Sequence, residues 1–257
     1  MQTKNAGLEH VLAALRAQRQ AIDAHERGAR AGRDPEDLHE MRVAVRRFRA
    51  ILRASRAMFE REWTASLRGE LKWLGTALGH VRDLDVLRAS LRSRVRSLPA
   101  PERPIGAVLL DDIEKDCATA RGSLRSALAG PRYRRLRRRL DAALRRPRVV
   151  TPRLSLLDVA AKEFEKLRSA VKDLPKHPGD EDLHAVRIKV KRARYAAELV
   201  GETAGRAGER FLDQAKALQD LLGDHQDSVV LERRLRETPD RSGDLRAVKR
   251  TLIKLER

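Results

Sequence analysis

Apolar residues recur along this chain at intervals of three and four, the spacing of one helical face, and no stretch shows the alternation of a strand. The spacing predicts helices over about 6–32, 36–60 and 62–97, separated by a break at Arg33-Asp34-Pro35. A second break from Ser97 to Pro104 precedes a helix to about Leu128. Another helix follows Gly130-Pro131, where proline suits a first turn. The segment Arg146 to Pro152 carries the strongest linker signal. Beyond it the order recurs: a helix over about 153–174, a break from Pro175 to Gly179, a helix over about 181–200, a joint from Gly201 to Gly208, and further helices to the end. The fold class expected is all-α.

The recurrence is visible residue by residue. Glu36-Asp37-Leu38-His39 is repeated as Glu181-Asp182-Leu183-His184, 145 residues on. Arg46-Arg47-Phe48-Arg49 returns as Lys191-Arg192-Ala193-Arg194, with every basic place kept. Downstream, the segment Leu74 to Asp83 faces Leu218 to Asp227 at an offset of 144, a one-residue change in a loop. These echoes predict a helical bundle of two modules related by pseudo-twofold symmetry, repeat one over about 5–148 and repeat two over about 152–257, within one domain spanning 1–257.

Acidic residues open the key helix of each repeat, where the partial positive charge of a helix N-terminus favours them. At about 100° per residue, His39, Arg42, Arg46, Arg49 and Arg53 fall within a sector of about 80°. His184, Arg187, Lys191 and Arg194 do likewise in the second copy. Opposite the first stripe run Leu38, Met41, Val45, Phe48, Ile51 and Leu52, the face that packs inward. The stripe from His39 to Arg53 is about 21 Å long at 1.5 Å per residue, a length that suits a linear polyanion better than a single phosphate. Few acids interrupt it, and unpaired like charges repel, so the stripe reads as a binding surface more than as a solvated face.

Composition narrows the partner. Lys and Arg number 56 against 37 Asp and Glu, a formal net charge of +19, which attracts polyanions. Aromatic residues make up only 3%, which weakens any reading by base stacking. The single cysteine, Cys117, excludes an internal disulfide and fits a buried thiol in a reducing compartment. No uncharged run approaches the roughly 20 apolar residues of a spanning helix, and the N-terminus lacks a signal peptide, so the expected place is the cytoplasm, with no membrane partner. Neither His39 nor His184 shows a second ligand on its own face, so no metal is expected; each reads as a hydrogen-bond donor to phosphate or an orienting group within the bundle. No cofactor loop, nucleophile elbow or paired catalytic carboxylates occur, so no enzyme is expected. Asp83 and Asp227 recur and read as helix caps or arginine partners. The densest basic segment, from Arg132 to Arg148, surrounds its helix and reads chiefly as general attraction or solvation.

The run His39-Glu40-Met41-Arg42-Val43-Ala44-Val45-Arg46-Arg47-Phe48-Arg49 resembles the signature of the CHAD domain family, and His184 to Arg194 resembles its second copy. The likeness extends through Arg82-Asp83-Leu84-Asp85, Pro131-Arg132-Tyr133 and Leu222 to Asp227. It implies two helical bundles enclosing a basic central channel that binds inorganic polyphosphate, in some settings at polyphosphate granules. Carried over by position, the ligand-facing set is His39, Arg42, Arg46, Arg49, His184, Arg187, Lys191 and Arg194, with Arg53 continuing the stripe. Lys72 and Lys216 add a second row; Arg47, Lys189 and Arg192 are weaker candidates. The second copy has Lys191 where the first has Arg46, which keeps charge but loses the bidentate fork. Two alternatives remain: a nucleic-acid-binding protein, with nucleic acid otherwise only a competing polyanion, and an accessory subunit of a polyphosphate- or triphosphate-processing enzyme.

Overall fold

A computed structural model describes residues 2–150, 155–240 and 242–254, with side chains from residue 7 onward except that of Glu202. Thr151 and Pro152 of the expected linker, the first two residues of the expected helix over 153–174, and the last three of the second repeat lie outside the described residues.

The described residues form nine α-helices: α1 (Gln2–Ala31), α2 (Pro35–Ala54), α3 (Arg61–Ser97), α4 (Arg103–Ala129), α5 (Pro131–Arg145), α6 (Leu156–Lys172), α7 (Asp180–Val200), α8 (Gly205–Glu237) and α9 (Gly243–Lys254). The chain is all-α, and no described helix is long and apolar enough to cross a membrane. Local chemistry sets the starts of the two key helices. Asp34 accepts from the Glu36 amide at 2.8 Å with Pro35 in the first turn. Asp182 accepts from the Gly179 amide at 3.0 Å at the head of α7.

Two boundaries differ from expectation. The helix expected over 36–60 stops at Ala54, because the Ser55 hydroxyl donates back to the Ile51 carbonyl at 2.7 Å and a 3-10 turn over Arg56–Met58 swings Met58 and Phe59 into the core. Their backbone then pairs with the segment read as a linker: the Glu60 amide donates to Arg148 at 3.0 Å and the Val150 amide to Met58 at 2.8 Å. Residues 148–150 are therefore strapped to the α2–α3 joint. The second difference is at the joint expected over 201–208, of which only a 3-10 turn over Gly201–Ala204 remains. Gly201 and Gly205 take φ of 61° and 57°, values that favour glycine, and α8 starts directly at Gly205.

Three apolar cores hold these helices. The first gathers α1, α2, the front of α3, the back of α4, and α5 around Leu15, Phe48, Leu71 and Tyr133. Another joins α6, α7 and the front of α8 through Leu167, Val190 and Leu222. The remaining core brings the back of α3 (Leu87, Leu91, Val95) and the back of α8 (Leu231, Leu235) together with α4 and α9. The two long helices each leave one core and enter the shared one.

Glycine sites separate close packing from open surface. A Cβ at Gly28 on α1 would sit 1.8 Å from Asp37 Oδ2 and 2.7 Å from its Cβ, where Asp37 holds His25 at 2.9 Å. A Cβ at Gly69 on α3 meets nothing within 4 Å. Gly69→Ala is expected to stabilise the fold by up to about 1 kcal/mol through helix propensity. Gly28→Ala is expected to lower stability instead, as read by urea denaturation of the two variants beside wild type.

Candidate functional site

With its apolar face committed to the first core, α2 turns its basic stripe toward α7. Between them lies a cavity of about 290 Å³. Arg46, Arg49 and Arg53 enter it from α2, Lys191 and Arg192 from α7, and Arg56 and Arg68 from the α2–α3 joint and α3. Glu163 of α6 is the one acid in its lining. Among the described residues none of these seven cations makes a hydrogen bond or an ion pair. The buried Nε atoms of Arg46, Arg49 and Arg68 have no partner. Elsewhere many arginines are matched, as in Arg121 with Asp85, Arg92 with Glu114 at 2.7 Å, and Arg137 with Asp23 at 2.9 Å.

One turn along, Arg42 contacts Asp83 at 3.2 Å and the Arg187 Nε donates to the Leu222 carbonyl at 3.2 Å. Each guanidinium is seated over a glycine. A Cβ at Gly79 would come within 3.4 Å of Arg42 Nε, and one at Gly223 within 3.3 Å of Arg187 Nη2. Charge crowding is felt throughout. Burial, then Arg187, Arg46 and Arg42, push Lys191 down to about 8. Burial also lowers Arg42, Arg49 and Arg53 from the usual arginine value; Arg46, Arg82 and Arg187 add to this at Arg42, Arg68 at Arg49, and Arg192 with Arg68 at Arg53. Burial works to raise Glu163, yet the bond from Lys166 at 2.8 Å, with Arg53 and Arg192 nearby, holds its carboxyl below the ordinary value.

The sequence-derived set is only partly gathered at the cavity. Arg46, Arg49, Arg53 and Lys191 line it, and Arg42 and Arg187 stand beside it. Arg194 does not line it: it pairs with Glu198 at 2.9 Å, donates to Gln219 at 3.2 Å and stacks over the Tyr195 ring. Arg192, the weaker candidate, does. The reason is rotational, because α7 presents Ile188, Lys191, Arg192, Tyr195 and Ala196 to α2, a sector turned by roughly 90° from the one that His184 and Arg194 define. Arg47 faces a different cavity of about 210 Å³ with His10, Gln18 and Glu198. Lys72 and Lys216 are exposed, and Lys216 pairs with Asp220 at 3.3 Å. Lys189 is half-buried outside the cavity lining.

The histidines differ from one another. The exposed His184 sets Nδ1 2.7 Å from Gln226 Oε1. His39 has a buried Nδ1 without a partner, and burial followed by Arg82 lowers its pKa, so the ring is held neutral. Glu36 and Glu40 bring ligand atoms within 4.8 Å of those of His39, a grouping the sequence reading overlooked although Glu36 lies one turn before the histidine. The second copy keeps Glu181 but has Ala185 in place of the second acid. Asp83 and Asp227 lie inside α3 and α8 and cap neither; Asp83 meets Arg42, and Asp227 is raised by burial against the pull of Arg187. Sequence reasoning missed Arg56, Arg68 and Glu163, which arrive from other elements. It also passed over Gly79 and Gly223, although their recurrence at an offset of 144 marked them.

Comparison with known proteins bears on this geometry. The family model for the CHAD domain matches residues 13–236. Two uncharacterized proteins of Mycobacterium tuberculosis, from strains CDC 1551 and H37Rv, are each 34% identical over 204 residues, covering 75% of this chain and 38% of theirs. The chain thus spans well under half the length of these relatives. Among solved structures, the CHAD domain from the plant Ricinus communis superposes with a TM-score of 0.74 at 28% identity, covering 96% of this chain and 86% of that one. PptA from Streptomyces chartreusis gives 0.79 at 21% identity over 97% and 93%.

The lowered Lys191 fixes a pH dependence with a defined sign. The folded protein releases this proton near pH 8, the unfolded chain near 10.5, so the cost of the charged amine is full below pH 8 and is relieved as pH rises from 8 to 10.5. Between those limits wild type is expected to gain stability relative to Lys191→Met. Arg46→Ala is expected to move the Lys191 midpoint upward in an NMR titration of the lysine side chain.

Proposed function

Since the match over residues 13–236 makes this chain a member of the CHAD domain family, we propose that it binds inorganic polyphosphate between α2 and α7 without turning it over. One observation carries the reading: seven cations line a cavity with a single acid, Glu163, among them. Holding unpaired like charges together costs free energy that a polyanion returns on binding, and each contact also releases counterions from the ligand. Arginine forks grip phosphate oxygens bidentately, which suits Arg46, Arg49, Arg53 and Arg192, while Lys191 adds a point charge. Arg42, Arg187 and the neutral His39 extend the row by a turn, and Lys72 and Lys216 are outlying attractors. In this proposal the two arms are copies of one helical module, each presenting its stripe to the other.

A duplex nucleic acid, as occupant of this cavity, is disfavoured by the cavity's size, about 290 Å³. Service as an accessory module to a phosphate-processing partner keeps the same binding chemistry, and the greater length of the mycobacterial relatives is compatible with it. The proposed setting is the cytoplasm, at polyphosphate granules.

The test replaces Arg42, Arg46, Arg187 and Lys191 together by Ala. Affinity for long-chain polyphosphate is expected to fall at least roughly 100-fold, and the slope of log affinity against log salt by about 3, from four lost contacts at about 0.7 each. Full retention of affinity by a variant of unchanged helical content would sink the site. A milder probe keeps every charge: Gly79→Val displaces the Arg42 guanidinium and is expected to weaken polyphosphate severalfold by calorimetry.

A further inference from the structure

The arginine-dense helix α5 is sorted by its contacts. Arg132 holds Glu70 at 2.9 Å and lies over the Trp73 ring; Arg137 holds Asp23 at 2.9 Å and Glu26 at 3.1 Å. Arg134 caps the Ala129 carbonyl at 2.7 Å, and Arg139 donates to the Ser66 hydroxyl at 2.7 Å. These arginines fasten α5 to its surroundings. Among the described residues, Arg135, Arg138, Arg145 and Arg146 make no hydrogen bond or ion pair, and all four are exposed. At about 100° per residue Arg135, Arg138 and Arg145 share a sector of about 80°, centred nearly opposite the buried Tyr133, Leu136, Leu140 and Ala143, and Arg146 follows at the helix end. As a set the arginines surround the helix, as the sequence reading has it. Once the structural ones are removed, the remainder is a stripe about 16 Å long. Its C-terminal end opens on a broad cavity of about 1060 Å³ between α3 and α5, whose charged lining is Glu62, Arg139, Arg145, Arg146 and Arg148, the last paired with Glu60 at 3.1 Å.

From this geometry we infer that the outer face of α5 is a second anion-binding surface, separate from the α2–α7 cavity, and that its partner is the phosphate backbone of duplex nucleic acid. Three features favour that partner. The stripe is convex and exposed, so it can touch several phosphates of a rigid, already ordered duplex at once; a flexible linear chain would lose conformational freedom for each contact, with no enclosing wall in return. A duplex presents about one negative charge per 1.7 Å of its axis, dense enough to meet every arginine along the 16 Å. The stripe itself carries no bulky apolar residue to enter a lipid surface, since Ala142 is the only apolar residue within it. The nearby aromatics are occupied as well: Trp73 carries Arg132 and Trp63 packs on Phe59 at 5.1 Å. Backbone contact without base reading is the chemistry that remains. Together with the proposed cavity ligand, the fold would hold two polyanions at once.

The test uses the full chain with Arg135, Arg138, Arg145 and Arg146 all replaced by Gln, beside an Arg46→Ala, Lys191→Ala cavity variant. A labelled mixed-sequence duplex is titrated by fluorescence anisotropy over a salt series, and short-chain polyphosphate by calorimetry. The α5 variant is expected to lose at least tenfold in duplex affinity and about 3.6 from the salt slope, four contacts at about 0.9 each, with polyphosphate affinity held within twofold. The cavity variant is expected to show the reverse, and wild type to keep its duplex when saturated with short-chain polyphosphate. Absence of duplex binding by wild type, undiminished binding by the α5 variant, or loss of polyphosphate affinity in that variant would each overturn the inference. If wild type fails to bind polyphosphate but the α5 variant still loses the duplex, only the cavity reading falls.

Discussion

Positive charge far in excess of counter-charge between α2 and α7 is the constraint that the rest of the fold has to satisfy. Two like charges 6 Å apart at an effective dielectric of 20 repel by about 3 kcal/mol, and the seven cations of the cavity lining have one acid between them. Such a seam cannot hold two helices together by itself. The closure comes from elsewhere: α7 sends Leu199 into the first core, and the long helices α3 and α8 meet in the shared core with α4 and α9. Apolar burial thus fixes a separation that electrostatics opposes, and Lys191 is depressed by burial first and by the repulsion of Arg187, Arg46 and Arg42 after it.

Much of this was legible in the sequence, for reasons that differ between the two key helices. On α2 the apolar set Leu38, Met41, Val45, Phe48, Ile51 and Leu52 fixes which side is buried, and the stripe opposite it is the one that meets α7. On α7 the periodicity is weaker, with Ala193, Ala196 and Ala197 among the buried residues, and the sector turned to α2 depends on how the helix leans on its neighbours. Arg192 therefore replaced Arg194. Arg56, Arg68 and Glu163 belong to segments that no local period connects to the stripe. The early end of α2 was hidden because Met58 and Phe59 continue an apolar pattern across a 3-10 turn. Conversely, the all-α class and the repeat of Glu-Asp-Leu-His were plain, since both rest on local spacing.

The likeness of the two repeated sequence segments is not equivalence. Position 226 supplies Gln226 to His184, whereas the corresponding position 82 supplies Arg82 beside His39. An amide oxygen can accept from an imidazole, and a guanidinium cannot, so one histidine is fixed in orientation while the other keeps a buried nitrogen without a partner. Likewise Arg42 is tied to a carboxylate and Arg187 to a backbone carbonyl. Any ligand spanning the seam meets an asymmetric set of donors.

The shared core also has a bearing on how the molecule comes into being. Leu87, Leu91, Val95, Leu109 and Ile113 find their partners Leu231, Leu235, Leu245, Val248 and Leu252 only across more than a hundred intervening residues. During synthesis from the N-terminus, at about 5–20 residues per second, the first half waits on the order of ten seconds with this seam bare. A nascent chain of this design therefore has an obligate sticky interval, in which the ends of α3 and α4 must be shielded, by a chaperone or by makeshift pairing with each other, until the last two helices leave the ribosome.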